Sequence, residues 1–246
     1  MDLSFLLLII LLATIAFLYA SVGHGGASGY LAVMAMIGIS PLMMKPSALV
    51  MNLAVSFISF IGFYKAGYFR VKLFLPFAIA SIPMAFIGGR ITLSDSGYKN
   101  ILAVCLLIAI IRLVYQFKNN DESKRAIPLW AGLLSGGLIG LISGMIGIGG
   151  GIILSPLMLL MRWSDLKETA AVSALFIFVN SLSGLVGQYQ KDGLHLTENL
   201  QYAVVATIIG GLFGAYFGSR KFNIPTLRYL LAIGLTIASL KLMFAT

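Results

Sequence analysis

Two glycine clusters interrupt otherwise apolar stretches and expose backbone groups that can bind a ligand. One cluster contains Gly23, His24, Gly25 and Gly26, and the other spans 147–151. In lipid, the N–H and C=O groups freed by such a break need protein or a water-filled cavity to satisfy them. N–H groups at the start of a helix lack intrahelical partners and carry the positive end of the helix dipole. A break that opens a helix is therefore suited to hold an anion.

Polar side chains beside the breaks extend this candidate anion site. His24 titrates near neutrality when unperturbed (pKa about 6.5), so it can bind a ligand, carry a proton or simply pack. Ser47 and Ser173 occupy matching positions after the two breaks, and each can cap its helix or line the cavity. Hydrogen bonding between helices explains Asn52 and Asn180 nearly as well as ligand contact. The predicted substrate-binding residues are Gly23, His24, Gly25, Gly26, Ser28, Ser47, Asn52, Gly147, Gly149, Gly150, Gly151, Ser173 and Asn180.

Acidic side chains are missing from the predicted membrane interior. All eight fall at the terminus or in predicted loops, namely Asp2, Asp95, Asp121, Glu122, Asp165, Glu168, Asp192 and Glu198. Intramembrane carboxylates commonly mark proton relays and cation sites, and metal sites need clustered oxygen, nitrogen or sulfur ligands. We therefore predict no metal site and no cofactor. We expect two helix N-termini to hold a small oxyanion without a buried lysine or arginine.

The composition places the chain in a membrane. Hydrophobic residues make up 59% and charged residues 10% of the chain, whereas a soluble domain has about 25% charged residues. The mean hydropathy is +0.99. The net charge of +9 comes from basic residues spread among short loops, as the positive-inside rule places them. Membrane lipid is therefore an expected partner, and nucleic acid is not.

The chain divides near residues 118–126 into halves that match element by element. Segment 20–27 parallels 144–151, and 88–90 parallels 218–220, which indicates an internal duplication. Each half is predicted as a helix, a glycine break, a short half-helix or re-entrant piece, and three further transmembrane helices. The short pieces, about 27–39 and 151–161, cannot span the roughly 30 Å hydrocarbon core. The predicted long helices cover about 3–20, 46–64, 72–89 and 98–116, then 127–144, 169–189, 197–217 and 226–244.

The charge distribution predicts that the two repeats are inverted. If each first helix and its short piece return to one side, one membrane face holds twelve of the 17 Lys and Arg residues. Lys45 is then among the few on the other face. A parallel arrangement spreads the same residues almost evenly and gives no orientation. We therefore predict an all-α polytopic protein of the inner or plasma membrane, with an N-terminal repeat (1–117), a cytoplasmic linker (118–126) and a C-terminal repeat (127–246).

Small residues recur at four-residue spacing in matching helices of the two halves. Such spacing lets helix backbones approach closely in lipid, so it predicts structural packing. The positions are Ser81, Ala85 and Gly89, with Gly211, Ala215 and Ser219 in the second half.

These motifs resemble the TauE/SafE family, also called the sulfite exporter or toluene-sulfonate uptake permease family. The resemblance covers nearly the whole chain and rests on the runs SVGHGG (21–26) and GMIGIGGGII (144–153), with PSAL, VSAL and Asn180-Ser181. The second run is closer to the family pattern, since His24 and Ala27 depart from a simple glycine run. The family is associated with transport of sulfite, sulfonates and related organic anions. The resemblance therefore implies a class of substrate rather than one anion.

The residues and the resemblance together predict a secondary transporter of small anions that works by alternating access. A gated anion channel using the same site is the alternative. An enzyme is not expected, because an intramembrane active site needs converging acid, base or nucleophile groups. Anion export can follow a cytoplasm-negative potential, whereas uptake would need a coupled proton or sodium ion. The expected partner is a small anionic substrate. The sequence does not decide whether the protein forms a homo-oligomer.

Overall fold

The structure is a computed structural model that describes residues 3–114, 124–197 and 199–220. The described residues form nine helices: α1 Leu3–Ser21, α2 Ala27–Met36, α3 Pro41–Lys65, α4 Val71–Arg90, α5 Asp95–Val114, α6 Leu129–Ile146, α7 Gly151–Leu160, α8 Leu166–Asp192 and α9 Leu200–Arg220. Among them α3, α4, α6, α8 and α9 are long and apolar enough to cross a membrane. The all-α prediction is confirmed, including the two short helices. The predicted helix 226–244 and most of the predicted linker lie outside the described residues.

Two long helices begin earlier than predicted. α3 begins at Pro41, a first-turn position where the missing N–H costs no helical bond. Pro46, which we took as the start, lies inside that helix. α8 begins at Leu166 because the Asp165 carboxylate accepts the N–H groups of its first turn, in a capping box with Glu168. Both helices are therefore longer at the end that follows the short helix.

Each short helix folds back along the helix that precedes it. The Arg125 N–H, just before α6, donates to the Arg162 carbonyl, just after α7, at 2.9 Å. In the first half, Tyr19 Oη lies 2.7 Å from Ser28 Oγ, near the start of α2. The α1–α2 and α6–α7 pairs are thus helical hairpins, each with a glycine break at its tip.

Glycine faces bring helices of opposite halves into backbone contact. Glycines of α6 lie against α4, and glycines of α9 lie against α1, with residue numbers rising together in both pairs. The predicted close packing is observed at Ser81 and Ala85, whereas α9 packs on α1 through glycines one residue before the predicted Gly211, Ala215 and Ser219. Each hairpin is held by a helix of the other half. The contacting pairs are Gly136–Phe77, Gly140–Ser81 and Gly144–Ala85, then Gly210–Ala13, Gly214–Phe17 and Gly218–Ser21.

The central helices α3 and α8 run in opposite directions. Ser47 Oγ, near the start of α3, accepts the N–H of Thr197, beyond the end of α8, at 3.0 Å. Further along α3, Asn52 Nδ2 donates to Ser181 Oγ, further back in α8, at 2.8 Å. These two helices are matching elements of the two halves, and they carry their polar residues to the hairpin tips.

Candidate functional site

The first break turns the chain with left-handed glycines. α1 ends at Ser21. Gly23 and Gly26 have φ angles of +77° and +95°, which residues with a side chain rarely adopt. Gly26 is the N-cap of α2 and has no side chain to satisfy the first-turn N–H groups. Tyr30 Oη donates to the Gly25 carbonyl at 2.9 Å. The break therefore ends one helix and opens another without a side-chain cap from its own N-cap residue.

The second break follows the same plan. Gly147, Gly149 and Gly150 have φ angles of +89°, +75° and +79°. Gly150 is the N-cap of α7 and likewise provides no side-chain cap. Tyr98 Oη donates to the Ile146 carbonyl at 2.7 Å, which satisfies one of the carbonyls left without a partner at the end of α6. Both breaks thus bring a helix start with a glycine N-cap to the tip of a hairpin.

The two breaks meet at His24. Its Nε2 lies 3.2 Å from the Gly151 carbonyl oxygen and 3.0 Å from Ser155 Oγ, both in α7. Ser155 Oγ in turn lies 2.7 Å from Ser173 Oγ of α8. On the other side of the ring, Nδ1 lies 2.9 Å from the Val22 carbonyl oxygen. His24 therefore connects the first half of the chain to two helices of the second half.

Asn52 lies between the two breaks. Its Oδ1 accepts the Ala27 N–H at 3.2 Å, and its Nδ2 donates to Ser181 Oγ at 2.8 Å. A Cβ atom added to Gly25 would overlap Oδ1, and one added to Gly149 would lie 2.5 Å from Nδ2. Both breaks approach this one amide closely because they have glycine there.

We call His24, Asn52, Ser155, Ser173 and Ser181 the tip cluster. It is closed to solvent, with exposures of 1% for His24 and 0% for the other members. None of the five is a carboxylate. Within the described ranges, no group of three or more His, Cys, Asp or Glu side chains could hold a metal ion. A ligand can reach the tip cluster only if the surrounding helices move apart.

Three predicted site residues lie in other surroundings. Ser28 pairs with Tyr19, as described above. Ser47 accepts the Thr197 N–H, so it differs from Ser173 although the two match in sequence. Asn180 is buried, and neither atom of its amide has a hydrogen-bond partner in the described part of the chain. The structure therefore brings Asn52 and Ser173 into the tip cluster and leaves Ser28, Ser47 and Asn180 outside it.

Lys45 corrects our expectation that no lysine or arginine is buried. It is 7% exposed, and its Nζ donates to the Gly89 carbonyl at 3.1 Å. A Cβ atom added to Gly147 would lie 3.1 Å from Lys45 Cγ, which places the lysine stem beside the second break. We had counted Lys45 among the residues of a membrane face because α3 was predicted to begin after it. Because α3 begins at Pro41, Lys45 lies within the helix and is buried in the protein interior.

Two residues of the tip cluster were absent from the predicted set. Ser155 matches Leu31 in the first half, so the repeat gave no signal for it. It lies four residues after Gly151, on the same face of α7. Ser181 lies about two turns after Ser173 and shares its face of α8. Helical spacing from the predicted residues, rather than matching between halves, would have found both.

A group of ionic contacts ties the base of the α6–α7 hairpin to α8. Lys124 Nζ donates to Asp165 at 2.8 Å and to Glu168 at 2.7 Å, and Arg70 Nε lies 3.5 Å from Glu168. The hydrogen bonds to Asp165 and Glu168 raise the pKa of Lys124. Burial alone would raise the pKa of Asp165, but hydrogen bonds from the Glu168 backbone and Lys124 lower it. Glu168, which was predicted in a loop, lies in the first turn of α8.

A helical protein with several membrane-length helices, whose broken helices meet at a closed polar cluster, has the architecture of a membrane transporter. The family model described as Sulfite exporter TauE/SafE matches residues 6–242. The chain belongs to this family, which confirms the resemblance drawn from its motifs.

One relative agrees with this class along its whole length. The Probable membrane transporter protein y4hK of Sinorhizobium fredii (strain NBRC 101917 / NGR234) is 36% identical over 248 residues, covering 99% of this chain and 100% of the relative. No solved structure matches this chain. The protein is thus a membrane transporter and not an enzyme.

Proposed function

We propose that this protein is a secondary transporter of small anions, specifically sulfite, sulfonates or related sulfur-containing organic anions, and that it works by alternating access. One observation carries this proposal: the starts of α2 and α7, whose glycine N-caps provide no side-chain cap, meet at the tip cluster. Helix starts offer N–H groups and a positive dipole end to an anion. The family description names sulfite, an oxyanion small enough for such a site.

The chemistry of the tip cluster supports an anion over a cation. The described cluster offers serine hydroxyls, an amide and an imidazole, and it holds no carboxylate. The Ala27 N–H now donates to Asn52, so this amide oxygen occupies a position that an oxyanion can take over. Buried Lys45 adds a positive charge beside the second break. Hydroxyls and an amide can bind either charge, but the Ala27 N–H, the positive charge of Lys45 and the lack of a carboxylate in the tip cluster favour an anionic ligand.

The helix directions support inverted repeats in a cell membrane. α3 and α8 are matching helices that run in opposite directions, and α1–α9 mirrors α6–α4. An inverted pair of broken helices at a repeat interface is a common plan for secondary transporters. With the bias of Lys and Arg to one face, this plan orients the segment 118–126 toward the cytoplasm of an inner or plasma membrane. The limits of the two repeats, 1–117 and 127–246, stay a prediction.

Closure of the tip cluster favours a carrier over a channel. All five members are buried, so a substrate leaves this cluster only after the helices rearrange. In a carrier, one bundle rocks against the other and opens the site to each side in turn. A channel using the same site is the second candidate, and electrical recording distinguishes it, because channel currents far exceed the turnover of any rocking cycle.

Flux measurements test the proposal directly. The purified protein is placed in liposomes, and uptake of labelled sulfite, sulfate, methanesulfonate and p-toluenesulfonate is compared with uptake into empty liposomes. We expect saturable flux of at least one of these anions, and faster flux when the same anion is present on both sides, as an exchanging carrier requires. Absence of flux for every anion of the panel would overturn the proposal.

A further inference from the structure

We propose that His24 is doubly protonated while the two breaks are in contact around a bound anion, and that its Nε2 proton crosses the membrane with the anion. Without the anion the buried ring is neutral, so the empty carrier returns no proton. The tip cluster is then a site for an anion together with a proton. This inference rests on the proposed transport of anions, but it adds the coupling ion, which determines the direction of transport.

The hydrogen-bond partners of His24 carry the first step. Nδ1 faces the Val22 carbonyl oxygen at 2.9 Å, and Nε2 faces the Gly151 carbonyl oxygen at 3.2 Å. A carbonyl oxygen only accepts hydrogen bonds, and a neutral imidazole carries a single N–H. A neutral ring would therefore direct one nitrogen lone pair at a carbonyl oxygen inside the protein. An imidazolium donates to both carbonyls.

Ser155 does not remove this conflict. Its hydroxyl lies 3.0 Å from Nε2 and 2.7 Å from Ser173 Oγ, and it can donate or accept in either contact. A neutral ring that accepts from Ser155 would still place the Nε2 lone pair beside the Gly151 carbonyl. Protonation satisfies Nε2 with both oxygens, and it leaves the Ser155 hydroxyl free to donate to Ser173.

The acidic side chains of the helices packed around His24 bind other groups: Glu168 of α8 pairs with Lys124 and Arg70, and Asp192 accepts from Thr92. α1 and α2 contribute the phenols Tyr19 and Tyr30, which bond to Ser28 and to the Gly25 carbonyl. The remaining contributions are Asn52 and Lys45 from α3, Ser155 from α7 and Ser173 from α8. A buried imidazolium needs an opposite charge, and a bound anion supplies it. Anion and proton therefore stabilise each other in this site.

The origin of each contact links protonation to the movement of the helices. The Nδ1 contact to Val22 lies within the first break, so it moves with His24. The Nε2 contacts reach Gly151 and Ser155 of the second half. When the bundles separate, Nε2 loses these oxygens and returns its proton to water on the side that is open. Ile148 stands at the matching position, so this residue pair carries one proton for each cycle.

A pH gradient across liposomes tests the coupling. We use methanesulfonate and p-toluenesulfonate, which stay ionised across the pH range, and clamp the membrane potential at zero with potassium and valinomycin. Coupling to one proton predicts accumulation of the sulfonate on the alkaline side by about tenfold per pH unit. In the His24→Gln variant, anion flux is expected to fall because His24 belongs to the tip cluster, and the flux that remains should show no accumulation on the alkaline side. His195, the other histidine of the chain, is exposed, and His195→Gln is the matched control that should behave like the wild type.

The outcomes distinguish this inference from the proposed function. Wild-type sulfonate flux that does not depend on the pH gradient overturns proton coupling but not anion transport. A His24→Gln variant that accumulates sulfonate like the wild type does the same. Failure of the wild type to move any anion of the panel overturns the proposed function itself.

A spectroscopic measurement tests His24 without relying on transport or on a variant of this residue. Protein labelled with ¹⁵N-histidine is studied by NMR in lipid, and the signals of His195 are identified with His195→Gln. With methanesulfonate in excess, we expect both ring nitrogens of His24 to carry a proton at neutral pH. A neutral His24 ring at pH 6 to 7 would overturn the inference whatever the flux shows.

Discussion

The two glycine breaks share one backbone plan but bring different side chains to it. The first break contributes His24 and is joined to Asn52 through the Ala27 N–H. The second has the apolar Ile148 at the position of His24 and contributes the Gly151 carbonyl and the Ser155 hydroxyl instead. The titratable ring thus comes from one half of the chain, and the partners of its Nε2 come from the other half.

The same backbone plan, used in both halves, can thus serve a site that is not symmetric. Both halves keep left-handed glycines and a helix start with a glycine N-cap, which would hold the anion in the proposed transport cycle. A proton needs a single titrating group, and one copy is enough. The side chains of the two breaks are therefore free to differ wherever the backbone supplies the anion contacts.

The largest effect is expected from removing the close approach of the first break to Asn52. In Gly25→Ala, the new Cβ overlaps Asn52 Oδ1, so the amide and the break must separate. Loss of the buried Ala27 hydrogen bond costs about 1–3 kcal/mol, and we expect anion flux below about one-tenth of wild type, because the site depends on this geometry. Thermal denaturation and liposome flux measure the two effects.

The control for this change is Gly137→Ala in α6. There the added Cβ has Ala80 and Met84 as its nearest neighbours, at 3.7 Å, and alanine favours a helix over glycine by up to about 1 kcal/mol. Stability and flux should stay close to wild type. Equal behaviour of the Gly25 and Gly137 variants would contradict the close packing of the first break on Asn52.

An intermediate effect is expected from comparing the two asparagines. Asn52→Leu leaves the Ala27 N–H and Ser181 without their partner, which should lower the free energy of unfolding by about 1–3 kcal/mol. Asn180→Leu removes an amide that has no partner among the described residues, so stability should be unchanged or raised. Chemical or thermal denaturation of the purified variants gives both values. If Asn180→Leu is stable but weakens anion flux, the predicted role of Asn180 as a ligand residue gains support.

The smallest effect is expected at the base of the second hairpin. Lys124→Ala removes a partly exposed ion pair with Asp165 and Glu168, so stability at neutral pH should fall by about 0–1 kcal/mol. The pKa of Asp165 is lowered from its ordinary value of 3.8. Its contribution is therefore present above that value and is lost as the pH falls through the lower pKa of the folded state. Melting curves at pH 7 and pH 3 should show the difference between variant and wild type shrinking at acid pH; an undiminished difference at pH 3 would contradict this origin.

Much of the fold followed from local sequence signals. Apolar length and glycine position predicted the helices and both breaks because these features act within one segment. The start of α3 was wrong because Pro46 was taken as a helix start, whereas Pro41 occupies that position. The same error hid Lys45, since a residue counted in a loop is not considered as a buried cation.

The site was harder to predict because its contacts join distant parts of the chain. No local pattern in α3 distinguishes Asn52, which two breaks approach, from Asn180 in α8, whose amide has no partner within the described ranges. Ser155 came to the tip cluster through the folding of α7 against α8, and nothing at its position in the first half indicates it. Matching the halves found the shared backbone, and it could not find the side chains in which the halves differ.

The contact between α1 and α9 has a consequence for the order in which the protein is made. The backbone strip of α1 at Ala13, Phe17 and Ser21 receives its glycine partners only from α9, near the end of the described chain. Because α1 ends at Ser21 and α9 begins only at Leu200, this strip has no glycine partner from α9 until most of the described chain has been synthesised. α6 has no such delay, because α4 precedes it. Assembly of the first half is thus completed by the second, and halves produced as separate chains should be stable only when made together.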